Sequence, residues 1–151
     1  MKTIEGDLIK LALEGKFDVI IHGCNCFNTM GGGIAKTIKT VFPEALEEDA
    51  RTIYGDKDKL GSFSLTKVIN NNDNSIIIVN AYTQYKYGRD EVHADYNAIR
   101  KVFIEIKKSF HGLRIGYPYI GAGLAGGDWN IISKIIDEQL EGEDHTLVIF
   151  K

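Results

Sequence analysis

Cysteine is scarce in this chain, and the two present, Cys24 and Cys26, stand one residue apart. Thiols that close do not form an ordinary disulfide, and no others exist to build a framework, so a reducing compartment is expected. Proline is equally rare, at two residues in 151. With 44% hydrophobic and 26% charged residues, the composition excludes a mainly disordered or collagenous chain. No apolar stretch approaches the about 20 residues that span a bilayer, so no membrane partner is expected. A surplus of positive charge is also missing. Eighteen Lys and Arg stand against 21 Asp and Glu, net −3, which disfavours strong binding of bare nucleic acid. Met1 to Asp7 carries Glu5 and Asp7 and no long apolar run, so it lacks the parts of a signal peptide and a cytoplasmic protein is expected. The length fits one domain, 1–151.

What is present is an alternation of strand-length apolar runs with stretches of helical period, the pattern of a layered α/β domain with a largely parallel sheet. Val19 to Gly23, Ser75 to Ala81, Leu113 to Ile120 and Thr146 to Phe150 read as strands. The run Ser75 to Ala81 is apolar without alternation, as a central strand covered on both faces should be. Helical spacing of Tyr96, Ile99, Val102, Phe103, Ile106 and Phe110 predicts a helix from about His93 to Phe110, ended by Gly112. Asp128 is placed to cap a helix burying Trp129, Ile132, Ile136 and Leu140. Two short helices flank Phe42-Pro43, and Tyr54 to Gly61 and Asn70 to Asn74 read as turns.

Two glycine clusters follow predicted strands, where ligands bind in α/β sheets. The first, Asn25-Cys26-Phe27-Asn28-Thr29-Met30-Gly31-Gly32-Gly33-Ile34-Ala35, leads from a strand into a helix starting near Gly32. Bare amides converging at a helix N-terminus make an anion site, and three glycines exceed what one tight turn needs. The second, Gly121-Ala122-Gly123-Leu124-Ala125-Gly126-Gly127, matches G-x-G-x-x-G. It lacks the following strand and acidic residue of a dinucleotide fold, and no P-loop motif occurs. Two such turns facing one another across neighbouring strand ends would clasp a diphosphate.

His22 and Asn25 lie at or just beyond the first strand's end. His22 is either a general acid or base or a buried histidine that ties down loop backbone. Asn25 offers a donor and an acceptor to sugar hydroxyls. Cys24 and Cys26 read as packing thiols; no motif requires a metal, and no cofactor is implied. Asp7 is either the N-cap of a helix Leu8 to Leu13 or an acceptor for an exocyclic amine. The segment Tyr82 to Asp90 mixes aromatic and basic residues and is either a cover for a ligand or an ordinary exposed loop. His93 and Asp95 belong to that wall or merely start the next helix.

In chain order, Gly6-Asp7-Leu8, His22-Gly23-Cys24-Asn25, Met30 to Ala35 and Pro118-Tyr119-Ile120-Gly121-Ala122-Gly123-Leu124 resemble the macro domain family. The resemblance implies a three-layer α/β/α fold with a mostly parallel, mixed central sheet and a pocket for ADP-ribose or a derivative. Asp7, with Leu8 beside it, would bind the adenine amine and Asn25 the distal ribose. Gly31, Gly32, Gly33, Ile34 and Ala35 would hold the diphosphate together with Gly121, Ala122, Gly123, Leu124, Ala125 and Gly126; Tyr82 counts among the ligand contacts. Histidine at 22 replaces the first asparagine of the family's Asn-Ala-Ala-Asn segment and is similar to the branch of ADP-ribose 1''-phosphate phosphatases and the terminal ADP-ribose protein glycohydrolase. The glycohydrolase's lysine and aspartate match Gln84 and Ala125 here, so the phosphatase reading fits better. Its expected catalytic set is His22, Asn25 and Asp90. The alternatives are an ADP-ribosyl hydrolase acting on protein or nucleic-acid adducts and a reader of ADP-ribose that does no chemistry.

Overall fold

The computed structural model describes residues 1–70, 73–88, 91–123 and 125–151. Along these run β1 (Lys2–Gly6), α1 (Leu8–Leu13), β2 (Val19–Cys24), α2 (Gly33–Val41), α3 (Pro43–Ala50), a 3-10 turn (Lys57–Lys59), β3 (Phe63–Ile69), β4 (Ser75–Tyr82), α4 (Tyr96–Ser109), β5 (Arg114–Tyr117), α5 (Trp129–Gln139) and β6 (Asp144–Phe150). The strands form one sheet in the order β1-β6-β5-β2-β4-β3, parallel except where β3 runs antiparallel to β4.

Period-2 alternation builds the layers, because successive side chains of a strand face opposite sides. Ile20, Ile76, Ile78 and Val148 meet Leu8, Ile9, Ile38 and Ala45 of α1, α2 and α3. Val19, Ile21, Val79 and Ala81 meet Ile99, Val102 and Phe103 of α4 and Ile132 and Ile136 of α5. The result is the expected three-layer α/β/α arrangement with a mostly parallel mixed sheet. Caps set the helix starts: Asp7 accepts from the backbone N–H groups of Ile9 and Lys10, Asp95 from that of Ala98, and Asp128 from that of Asn130.

The two strands that sequence reading omits, β1 and β3, are the two edges of the sheet. β1 is almost wholly exposed and β3 alternates between exposed and half-buried residues, so neither carries the continuous apolar run of a strand buried on both faces. The strand expected to reach Ile120 stops at Tyr117 because Pro118 has no N–H for the ladder. The helix expected from about His93 begins at Tyr96, where Asp95 caps it. Asn71 and Asn72 of the asparagine run, Arg89 and Asp90 of the segment after β4, and Leu124 lie outside the described residues.

Candidate ligand cleft

The first glycine turn leaves β2 at Cys24. Asn25 folds its side chain back on the turn: Oδ1 accepts from the backbone N–H of Phe27 at 2.8 Å, and Nδ2 donates to Thr29 Oγ1 at 2.8 Å. The chain then passes the buried Met30 and enters α2, whose N-cap, Gly32, supplies no side-chain hydrogen bond. The first N–H groups of α2 therefore stay open to an anion, and the helix dipole favours negative charge there.

The second turn leaves β5 through Pro118. Gly121 and Gly126 both sit at φ +73°, where a Cβ is strained. The turn closes on itself, with Gly126 N–H donating to Gly123 O at 3.1 Å and Gly127 N–H to Gly121 O at 2.7 Å. A Cβ on Gly127 would lie 2.5 Å from Gly121 O, whereas one on Gly123 would meet nothing within 4 Å. The N–H groups of His93 and Ala94 brace the turn by donating to Ala125 O at 2.8 and 3.3 Å.

Because β2 and β5 are neighbours in the sheet, the two turns stand side by side and line one cleft of about 910 Å³. One end of the cleft lies over β1 and β6, where Gly6, Asp7, Leu8 and Phe150 line it. Asp7 uses Oδ1 to cap α1, at 3.0 and 3.2 Å from its donors, and Oδ2 receives no hydrogen bond from the described residues. Phe150 is 81% exposed, an apolar ring left standing at the rim. The other end lies over β2 and β4 and is lined by Asn25, Thr29, Gln84 and Tyr87.

Of the residues singled out from sequence, Asp7, Leu8, Asn25, Gly31, Gly32, Gly33, Ile34, Ala35, Gly121, Gly123 and Ala125 all line this cleft. His22 does not. Strand alternation turns it toward α3, where it is fully buried with Nε2 2.6 Å from Asn80 Oδ1. Asn80 donates from Nδ2 to Ala45 O and Ser64 Oγ, which leaves its oxygen facing the ring and puts the imidazole proton on Nε2. Burial pushes the His22 pKa down to about 4, against a smaller raising effect of the Asn80 hydrogen bond, so the ring is neutral at pH 7. His22, expected as a general acid or base or as a buried histidine that ties down the loop, is placed by the structure beneath the turn, outside the cleft lining.

Tyr82, expected among the ligand contacts, likewise lies outside the cleft lining. It is buried on the α3 side, its hydroxyl donating to Asp49 Oδ1 at 2.7 Å and lying 2.8 Å from Ser64 Oγ. Ala122 and Gly126 shape the second turn without lining the cleft. Cys24 lines the floor and Cys26 lies behind the wall, and burial raises the pKa of both thiols. Among the described residues no cluster of three or more His, Cys, Asp or Glu side chains could hold a metal ion. Sequence reading held Thr29 within the first loop but missed Thr37 and Phe150 as lining residues. An exposed phenylalanine ending a strand is the one signal that could have found Phe150.

Comparison with known proteins agrees with the fold. The Macro domain family model matches residues 21–136. An uncharacterised 17.5 kDa protein from the tk-vs intergenic region of Enterobacteria phage T4 is 37% identical over 142 residues, covering 91% of this chain and 88% of that protein. The ADP-ribose 1''-phosphate phosphatase of Candida albicans is 28% identical over 147 residues, covering 91% of this chain and 92% of that one. Among solved structures, Thermosipho africanus DarTG in complex with ADP-ribose superposes with a TM-score of 0.75 at 17% identity, over 99% of this chain and 42% of that one. At that identity the likeness shows the fold.

Proposed function

The chain belongs to the macro domain family, and from that premise we propose that its cleft binds ADP-ribose and hydrolyses the phosphomonoester of ADP-ribose 1''-phosphate. The observation that carries the binding half is the meeting of two glycine turns in one cleft, one of them opening a helix with no side-chain cap. A pyrophosphate fits between them. Asp7 Oδ2 then accepts from the adenine amine while the Phe150 ring packs on the base, both at the β1 and β6 end. Asn25 takes the distal ribose at the β2 and β4 end. The Thermosipho africanus protein, solved with ADP-ribose, supports this choice of ligand.

For the reaction, water attacks phosphorus, the bond to the anomeric oxygen breaks, and ADP-ribose leaves with that oxygen as inorganic phosphate is released. Backbone N–H groups of the two turns offset the developing charge on the phosphoryl oxygens. His22 supports the floor from below and touches none of these atoms. We assign activation of the water to Asp90, which follows the cleft-lining Gly88 closely in sequence. The Candida albicans relative, a named phosphatase at 28% identity, supports this reaction.

A reader without chemistry is the second reading, favoured because Asp7, at the adenosine end, is the only carboxylate among the described lining residues. Phosphate release from ADP-ribose 1''-phosphate decides between them. The phosphatase reading expects release that Asp90→Asn abolishes while ADP-ribose still binds by calorimetry. Binding without release from the wild type leaves the reader, and release of ADP-ribose from a protein or nucleic-acid adduct instead would select an ADP-ribosyl hydrolase.

A further inference from the structure

The first glycine turn is held from behind by Lys59, a residue with no motif around it. Lys59 closes the 3-10 turn Lys57–Lys59 and is only 7% exposed. Its Nζ donates to Cys26 O at 3.0 Å and to Asn28 Oδ1 at 2.7 Å, and lies 4.9 Å from the centre of the Tyr82 ring. No carboxylate of the described residues lies within ion-pair distance of it.

Asn28 is the residue that needs holding. It sits at φ +54°, in the left-handed region that non-glycine residues seldom occupy. Besides Lys59, its amide is gripped by Thr52, which donates from Oγ1 to Asn28 Oδ1 at 3.1 Å and accepts from Asn28 Nδ2 at its carbonyl at 3.1 Å. The Cys26 carbonyl accepts a second hydrogen bond from Gly55 N–H at 2.7 Å. None of Cys26, Asn28, Thr52, Gly55 or Lys59 lines the cleft, yet Asn25 and Thr29, one residue to either side of the Cys26 to Asn28 segment, both do.

Burying an ammonium group away from water is costly, and an apolar side chain would fill the same volume without that cost. Here the buried charge serves two acceptors of one strained turn. We propose that Lys59 is a positioning residue for the ligand: it fixes the backbone of residues 25–30, and so where Asn25 and Thr29 stand against the distal half of the bound molecule. This rests on the reading of the cleft as an ADP-ribose site.

The proposed reading supplies its own control, because on it AMP fills only the end at Asp7 and Phe150 and stops short of Asn25 and Thr29. The full chain is titrated calorimetrically with ADP-ribose and with AMP, as wild type, Lys59→Met and Lys59→Arg. Lys59→Met should weaken ADP-ribose about tenfold or more and leave AMP within about twofold, the loss expected for hydrogen bonds from a charged donor. Lys59→Arg, which still offers donors to both acceptors, should return ADP-ribose to within about threefold of wild type. Equal weakening of both ligands, or no change in either, overturns the inference. A wild type that binds AMP but not ADP-ribose, or neither, overturns the reading of the cleft instead and takes this inference with it. If Lys59→Met does not fold, Asn28→Ala keeps the lysine and removes its acceptor. The same split between the two ligands is then required, and its absence overturns the proposal.

Discussion

Of the two glycine turns that frame the cleft, the one after β5 is held by its own backbone and the one after β2 by side chains from elsewhere in the chain. The second closes through Gly126 to Gly123 and Gly127 to Gly121 hydrogen bonds and is braced by two further main-chain donors. The first depends on Asn25, Thr52, Lys59 and the buried His22 and Asn80 beneath it. A turn closed by main-chain bonds is sensitive to changes that crowd its backbone or fall on its positive-φ glycines, and little to the chemistry of distant side chains. One held by side chains inherits every chemical sensitivity of those side chains, including their titration.

Acid should break the comparison most strongly, by loosening the first turn, which stands directly on His22, more than the second. The folded His22 pKa of about 4 lies below the unfolded value near 6.5, so the unfolded chain takes up a proton first as pH falls. Stability from the neutral ring is therefore full above about pH 6.5 and lost as pH drops toward 4, by about 3 kcal/mol in all. Urea unfolding at stepped pH measures this, and His22→Gln should flatten the slope. Amide exchange that quickened equally in both turns would count against the contrast.

Gly127→Ala attacks the other turn through its backbone. Its new Cβ would stand 2.5 Å from Gly121 O and 2.9 Å from Ala94 Cβ, and a loss of about 2 kcal/mol by urea unfolding is expected. A change below about 0.5 kcal/mol would show that the second turn is not held as tightly as its hydrogen bonds suggest. Tyr82→Phe should cost about 1.5 kcal/mol, because it strips the donor from Asp49 Oδ1 in a fully buried site where Oδ2 already has no partner among the described residues. Burial already raises the Asp49 pKa, and the Tyr82 hydrogen bond and the nearby Lys59 charge both oppose that rise. Chemical shifts in Tyr82→Phe should move in residues 25–30 and stay fixed in 121–127.

The smallest effect supplies the baseline. Arg114 binds both oxygens of Asp18 at the opposite rim of the sheet, far from either turn, and holds that carboxyl below its ordinary pKa. The pair's contribution is present above about pH 4 and fades as pH falls through the lowered value. Being partly exposed it is worth under about 1 kcal/mol, so Arg114→Met should shift the melting temperature by a few degrees at most and leave ligand binding unchanged.

Much of the fold and the existence of both turns are legible in the sequence. Asp128 marks a helix start through capping chemistry that is local in sequence, and the doubly buried β4 announces itself by its unbroken apolar run, whereas Asp7 reads equally as a cap or an acceptor and the Asp95 cap goes unread. The two glycine clusters were legible for the same reason, since bare amides and positive φ are properties of single residues. The direction of His22 was not. Whether a strand-end residue faces the cleft or a helix layer turns on strand parity and on where the strand stops, which shifts with one residue of register. Lys59 was invisible because its partners, Cys26 and Asn28, lie 33 and 31 residues away along the chain. Phe150 required the pairing of β6 with β1 to bring it beside Asp7.

That pairing has a consequence for how the molecule comes into being. β1 hydrogen-bonds within the sheet only to β6, from Lys2 opposite Thr146 to Gly6 opposite Phe150. During synthesis the earliest strand must therefore wait, unpaired, until the latest of the six has left the ribosome. The rim of the cleft at Asp7 and Phe150 is completed only when β6 pairs, and a nascent chain halted before residue 144 would carry both glycine turns with β1 still unpaired.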